Sequence, residues 1–164
     1  MPKINVLLTT FLLCFVGYSA SAQNPLSNIF RKFRNDEGVQ HINLTGNISK
    51  MLQSKNQKLA SVIDEMHVYI FSKGKNISPS DATKIKAALQ QGPFELLINT
   101  KDKSGKVSLY GVEKNKKITD LYSELNYNGM NIYVLLKGNI LLHELSKMNF
   151  DFDGSKLLKG VVVP

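Results

Sequence analysis

The side chains most able to do chemistry in this chain are its three histidines, His41, His67 and His143. None stands at metal-ligand spacing from another. "HELSK" at His143 starts like the H-E-x-x-H zinc motif, but Lys147 stands where the second ligand must be, so zinc hydrolysis is rejected. His67 falls among strand formers and reads as a structural histidine. "NFDFDG" offers Asn149, Asp151 and Asp153 in the spacing of an early calcium loop. Calcium wants a bidentate carboxylate at the loop's end, where Gly160 stands instead. "KSGK" lacks the leading glycine of a phosphate loop and has Val107 in place of the Ser or Thr, so it reads as a hairpin turn. No serine lies in a G-x-S-x-G elbow, and the carboxylates are too dispersed to nominate an acid–base pair. The expectation is therefore no catalytic residue, no metal site and no cofactor.

Tyrosines are what remain. Strand alternation sends successive side chains to opposite faces. Tyr69 shares parity with His67 and Phe71, Tyr110 with Ser108, Tyr122 with Asp120 and Glu124, and Tyr133 with Asn131 and Lys137. Val68 and Ile70, the set Phe94, Leu96 and Ile98, and the set Met130, Ile132, Val134 and Leu136 form apolar faces. The four tyrosines are thus expected together on one polar sheet face, opposite the helices. Because tyrosine combines a large, fairly rigid ring with a polar tip, Tyr69, Tyr110, Tyr122 and Tyr133 are the candidate partner-binding residues.

The elements that must hold them follow from pattern. "PLSNIFRKFRND" spaces Leu26, Ile29, Phe30 and Phe33 as an amphipathic helix stopped at Gly38. "VQHINLTG" is a short strand. "NISKML" opens a helix, and Leu59, Val62, Ile63 and Met66 continue a helical face. "HVYIFS" is a strand. "SPSDATKIKAALQQG" is the clearest helix, with Ser78 as cap, Pro79 at the first position, Ala82, Ile85, Ala88 and Leu89 as the buried stripe and Gly92 as the stop. "PFELLINTKDKSGKVSLYGV" gives two strands around a polar turn. "ITDLYSELNYNGMNIYVLL" gives a hairpin at Asn128-Gly129, its second strand ended by Gly138. "NILLHELSKM" is a short helix, and residues 149–164 form an irregular or edge-strand tail. This order predicts an α+β fold: a single, mainly antiparallel sheet with helices on one face, a two-layer sandwich.

The start of the chain reads as an address. Lys3, an apolar run from Ile4 to Val16 and Ala20-Ser21-Ala22 have the layout of a signal peptide, residues 1–22, cleaved to leave Gln23 first. The apolar run is short for a helix crossing about 30 Å of hydrocarbon. Residues 23–164 then form a single domain. Cys14, the one cysteine, lies inside the apolar run behind bulky Leu12 and Leu13, unlike a lipid-carrying cysteine; the mature chain has no thiol chemistry. The net charge is +8, and +7 once Lys3 is removed. The lysines are scattered and Arg31 and Arg34 are the two arginines, so no nucleic-acid reader is expected. Weak attraction to anionic surfaces accompanies this charge.

A start ending in "SAQ", a leading amphipathic helix, "VQHINLTGNISKML", "LASVIDEMHVYIF", a strand pair, "DLYSELNYNGMNIYVLLKG" and "LLHELSKM" follow in order. This succession resembles the exported Bacteroidota proteins of the domain of unknown function 4252 family, over roughly residues 24–148. The resemblance implies a periplasmic or secreted envelope domain, in a family where some members are lipid-anchored and some are linked with extracytoplasmic sigma-factor systems. It carries over no catalytic residue. The sequence reading is an exported cell-envelope domain without catalytic activity that binds an envelope protein, in envelope signalling. The alternatives are a small exported enzyme with a site formed only in three dimensions, or adhesion to anionic lipid or polysaccharide.

Overall fold

The structure is a computed structural model and describes residues 24–45, 62–101, 103, 105–127 and 129–141. The signal-peptide reading, Cys14, the "NISKML" helix, His143 and "NFDFDG" lie outside these residues.

Six strands form one sheet: β1 (Val39–Thr45), β2 (Ile63–Phe71), β3 (Glu95–Lys101), β4 (Gly105–Lys114), β5 (Lys117–Tyr127) and β6 (Met130–Ile140). Their order is β1-β2-β6-β5-β4-β3, and every neighbouring pair is antiparallel. β3 to β6 is a meander, while β2 passes to the far side of β6 with a helix inserted before β3. The meander depends on tight turns. β4 and β5 are joined by Asn115 and Lys116, both at positive φ (53° and 62°), as a two-residue turn matched to strand twist requires. β5 and β6 pair up to Tyr127 opposite Met130, with Gly129 in the turn at φ 78°.

Among the described residues two helices flank the strands. α1 (Pro25–Phe30) continues as a 3₁₀ turn, Arg31–Asn35, and α2 (Pro79–Gln91) fills the β2–β3 connection. α1 begins where the sequence allows: Asn24 Oδ1 accepts from Leu26 N at 3.0 Å, and Pro25 needs no N–H at the first turn. In α2, Ser78 Oγ accepts from Asp81 N at 3.2 Å, and Gly92 N closes the last turn on Ala88 O.

Two expectations are corrected. Ile63 and Met66 belong to β2, not to a helix: β2 runs through "IDEMHVYIF" without a break, because its β-branched and aromatic residues pair along both β1 and β6. Gly138 does not end β6, which continues to Ile140. A Cβ at Gly138 would lie 2.2 Å from Val62 O, so glycine here permits the close backbone approach at a register shift in β2.

Both faces of the sheet are buried. One carries an aliphatic core of Met66, Val107, Leu109, Leu121, Leu125, Ile132, Val134 and Leu136. The other carries Tyr69, Phe71, Tyr122, Tyr133 and Leu135, packed against Leu26 and Phe30 of α1, Phe33 of the 3₁₀ turn and Ile85 of α2. The four tyrosines do share a face, as alternation requires. The described helices, α1 and α2, cover that face, however, so the expectation that it lies opposite them is overturned for these two. The physical reason is visible in the polar residues of the same parity, which tether instead of facing water. Asp120 accepts from the α1 cap residue, Asn24, at 3.2 Å, and Lys137 pairs with Glu65 at 3.3 Å. Leu96 and Ile98 also part company. A register shift between them leaves Leu96 opposite Tyr110 while Ile98 packs on the aliphatic side.

Candidate functional site

Phe30 is the bolt of the helix-covered face. Its ring lies 5.1 Å from Tyr69, 6.0 Å from Tyr122 and 5.3 Å from Tyr133, in tilted geometries that aromatic rings favour. This seats α1 firmly. α2 is held differently: Asp81, buried on its first turn, is bound by Lys32 and by Ser78 Oγ. Those bonds hold the Asp81 carboxyl below its ordinary range, Lys32 contributing most. Farther along α2 the seat is loose. Of the expected stripe, Ile85 is buried, Ala88 and Leu89 are half-buried, and Ala82 is exposed.

The loose seat leaves a cavity of about 500 Å³ between α2 and the sheet. Its α2 side is made by Ala82, Ile85, Lys86, Leu89 and Gln90, and its sheet side by Leu96, Tyr110, Tyr122, Glu124 and Tyr133. Tyr110 and Tyr122 are paired across β4 and β5, with ring centres 6.1 Å apart; Tyr122 and Tyr133 are stacked at 6.5 Å. Glu124 lies directly across from Ser108 on one side and Tyr133 on the other. Tyr122 is 1% exposed, and its Oη has no hydrogen-bond partner among the described residues. Burial, then the Glu124 charge, push the Tyr122 and Tyr133 phenols well above their ordinary range, so both remain neutral donors. The size, apolar walls and few polar groups are those of a small-molecule site.

A second polar group lies at the other end of the same face. His67 Nε2 is 2.6 Å from Glu65 Oε1, and His67 Nδ1 is 3.1 Å from His41 Nε2. A carboxylate only accepts, so Nε2 of His67 carries a proton, and its Nδ1 faces His41 Nε2. Burial raises Glu65, but bonds from His67 and Lys137 outweigh it and hold the carboxyl below its ordinary range. His41 is lowered by burial, by His67 and by Arg34. His41 also stacks on Tyr69 at 4.5 Å. Among the described residues no hydroxyl or thiol bonds to this line, which fastens the terminal strand β1 to β2. No group of three or more His, Cys, Asp or Glu side chains suited to a metal ion occurs among them.

Of the candidate partner-binding residues, the cavity gathers Tyr110, Tyr122 and Tyr133, while Tyr69 lies under Phe30 and beside His41. Tyr69, Tyr122 and Tyr133 are buried, which removes the exposed surface on which their partner-binding assignment rested. Sequence reading missed Glu124 and the His41–His67 pair. Glu124 was legible as the parity neighbour of Tyr122; the histidine pair required knowing that β1 lies beside β2.

The family model "Domain of unknown function (DUF4252)" matches residues 33–148, most of the chain and nearly all of the described fold. The chain belongs to the DUF4252 family. No curated protein and no solved structure matches it. Within this DUF4252 domain the match takes in all six strands and α2, and hence every residue lining the cavity. No described helix is long and apolar enough to cross a membrane.

Proposed function

We propose that this DUF4252 domain is a non-catalytic binding protein of the cell envelope, and that the cavity beneath α2 is its binding site. The observation that carries this reading is the tyrosine-lined cavity under a helix tied down at one end. The fold closes the rest of the tyrosine face with Phe30, yet leaves a volume of about 500 Å³ within the range of small-molecule sites. The ligand class that fits has an apolar body against Leu89, Phe94 and Leu96 and one hydrogen-bonding end near Tyr122 and Glu124. Export to a periplasmic or secreted location is supported by the pattern of residues 1–22, and an envelope role by the family resemblance.

The test is saturation-transfer NMR on the full mature chain with n-hexanol as an apolar probe. Transfer from the ring protons of Tyr110 and Tyr133 is expected, with loss of transfer in Ala82→Trp, which fills the mouth from an exposed position. Equal transfer in both proteins, or none in either, overturns the cavity reading.

A protein partner in the envelope is the second reading, now moved from the tyrosine face to the sheet's edge. β3 is a terminal strand, and Leu96 on it is 52% exposed; an extended segment of a partner could add there by strand pairing. A photo-crosslinker at Leu96 that captures no envelope protein would set this reading aside.

A further inference from the structure

Five carboxylates of the described residues are partly or fully buried: Asp36, Glu65, Asp81, Asp120 and Glu124. Asp36 pairs with Lys75, Glu65 with His67 and Lys137, Asp81 with Lys32, and Asp120 accepts from Asn24. Glu124 has no ion-pair or hydrogen-bond partner among the described residues, on a chain of net charge +8. Partial burial of a carboxylate without a partner carries a cost, and this one lines the cavity. Resting on the cavity reading above, we propose that the site selects organic cations: an ammonium or methylated ammonium group carried on an apolar body. Glu124 supplies the counter-charge, and the rings of Tyr110, Tyr122 and Tyr133 supply the wall.

The ring arrangement supports the same sign. Three tyrosines follow one another across β4, β5 and β6, and aromatic faces attract a cation through their quadrupole, most strongly where water is excluded.

The opposing charge is Lys86. It stands on α2, exposed, at the end of a flexible stem, so its ammonium turns into solvent at little cost. Glu124 stands in mid-strand, partly buried between two paired neighbours and on a shorter stem, so its carboxylate has less reach into solvent. The more mobile charge gives way and the other sets the preference.

The experiment compares hexyltrimethylammonium, n-hexanol and hexanoate, titrated into the full mature chain and into Glu124→Gln. The cation is expected to bind about tenfold more tightly than the alcohol, the scale of a desolvated cation–π contact joined to a counter-charge. Glu124→Gln should remove that advantage, leaving the cation bound no more tightly than n-hexanol is by the same variant. Should Glu124→Gln fail to fold, Tyr110→Leu, at a half-buried position, serves instead and should also weaken the cation selectively. If n-hexanol binds as well as the cation, or the variants leave the cation's advantage intact, the cation inference falls while the cavity reading stands. Tighter binding of hexanoate, lost in Lys86→Met, reverses the sign and overturns it. If none of the three probes binds, both readings fall.

Discussion

The two faces of the sheet follow the same alternation with different materials. On one, Val107, Leu121, Leu125, Ile132, Val134 and Leu136 are 0–4% exposed and form an aliphatic layer. On the other, tyrosines, a histidine pair and carboxylates lie between the sheet and two short helices. Among the described residues, the aliphatic face contains one buried hydroxyl without a partner, Ser123 Oγ; the tyrosine face contains Tyr122 Oη and Glu124, likewise without one, and a cavity. Close-packed aliphatic chains fix a fold without directing anything. Orphaned polar groups around a cavity cost stability and remain because something else can satisfy them. On the proposal above, one face serves stability and the other recognition.

The strongest way to break it is a truncation on the aliphatic face. Leu125→Ala, at a fully buried position, should cost about 2–5 kcal/mol in denaturant unfolding. A loss well under 1 kcal/mol would mean that this face is loosely packed too.

On the other face, removing a group should help. Tyr122→Phe deletes the orphaned hydroxyl and should raise the stability of the ligand-free chain by about 1–3 kcal/mol. A destabilised Tyr122→Phe would show that the hydroxyl has a partner in solution and that the face is no less satisfied than its opposite.

The seat of α2 gives a smaller effect. Ser78→Ala removes its cap and should cost about 1 kcal/mol, while loosening the cavity roof and weakening n-hexanol binding. Unchanged binding would separate the helix's stability from the cavity's shape.

The smallest effect concerns pH. In the folded chain His41 resists protonation, whereas the unfolded chain takes up that proton near its ordinary value of 6.5. The unfolded state then binds more protons, so stability should begin to fall as pH drops through that value. Glu65 and Asp81, both held low, add stability that is complete above the ordinary carboxylate range and lost at more acidic pH, as it falls through their lowered values. His41→Asn should abolish the first part of this decline and leave the second. An unaltered profile would remove the histidine pair from the account of this face.

Local pattern determined a great deal. The α2 boundaries, from the Ser78 cap and Pro79 to Gly92, were legible because capping is chemistry within one turn. The Asn128-Gly129 hairpin and the pairing of the strands around "KDKSGK" were legible because turn residues select turn types. That Tyr69, Tyr110, Tyr122 and Tyr133 share a face followed from a period of two. Which face the helices would cover did not follow. Alternation is symmetric between the faces, and tyrosine's ring and hydroxyl suit water and core alike. Neighbours such as Asp120 and Lys137 read as solvent-facing until Asn24 and Glu65 were seen to bind them. Contacts at such separations, together with the shift that divides Leu96 from Ile98 and the half-seated α2, were decided by tertiary packing. They arise from how whole elements meet, whereas a sequence window records how one element is made.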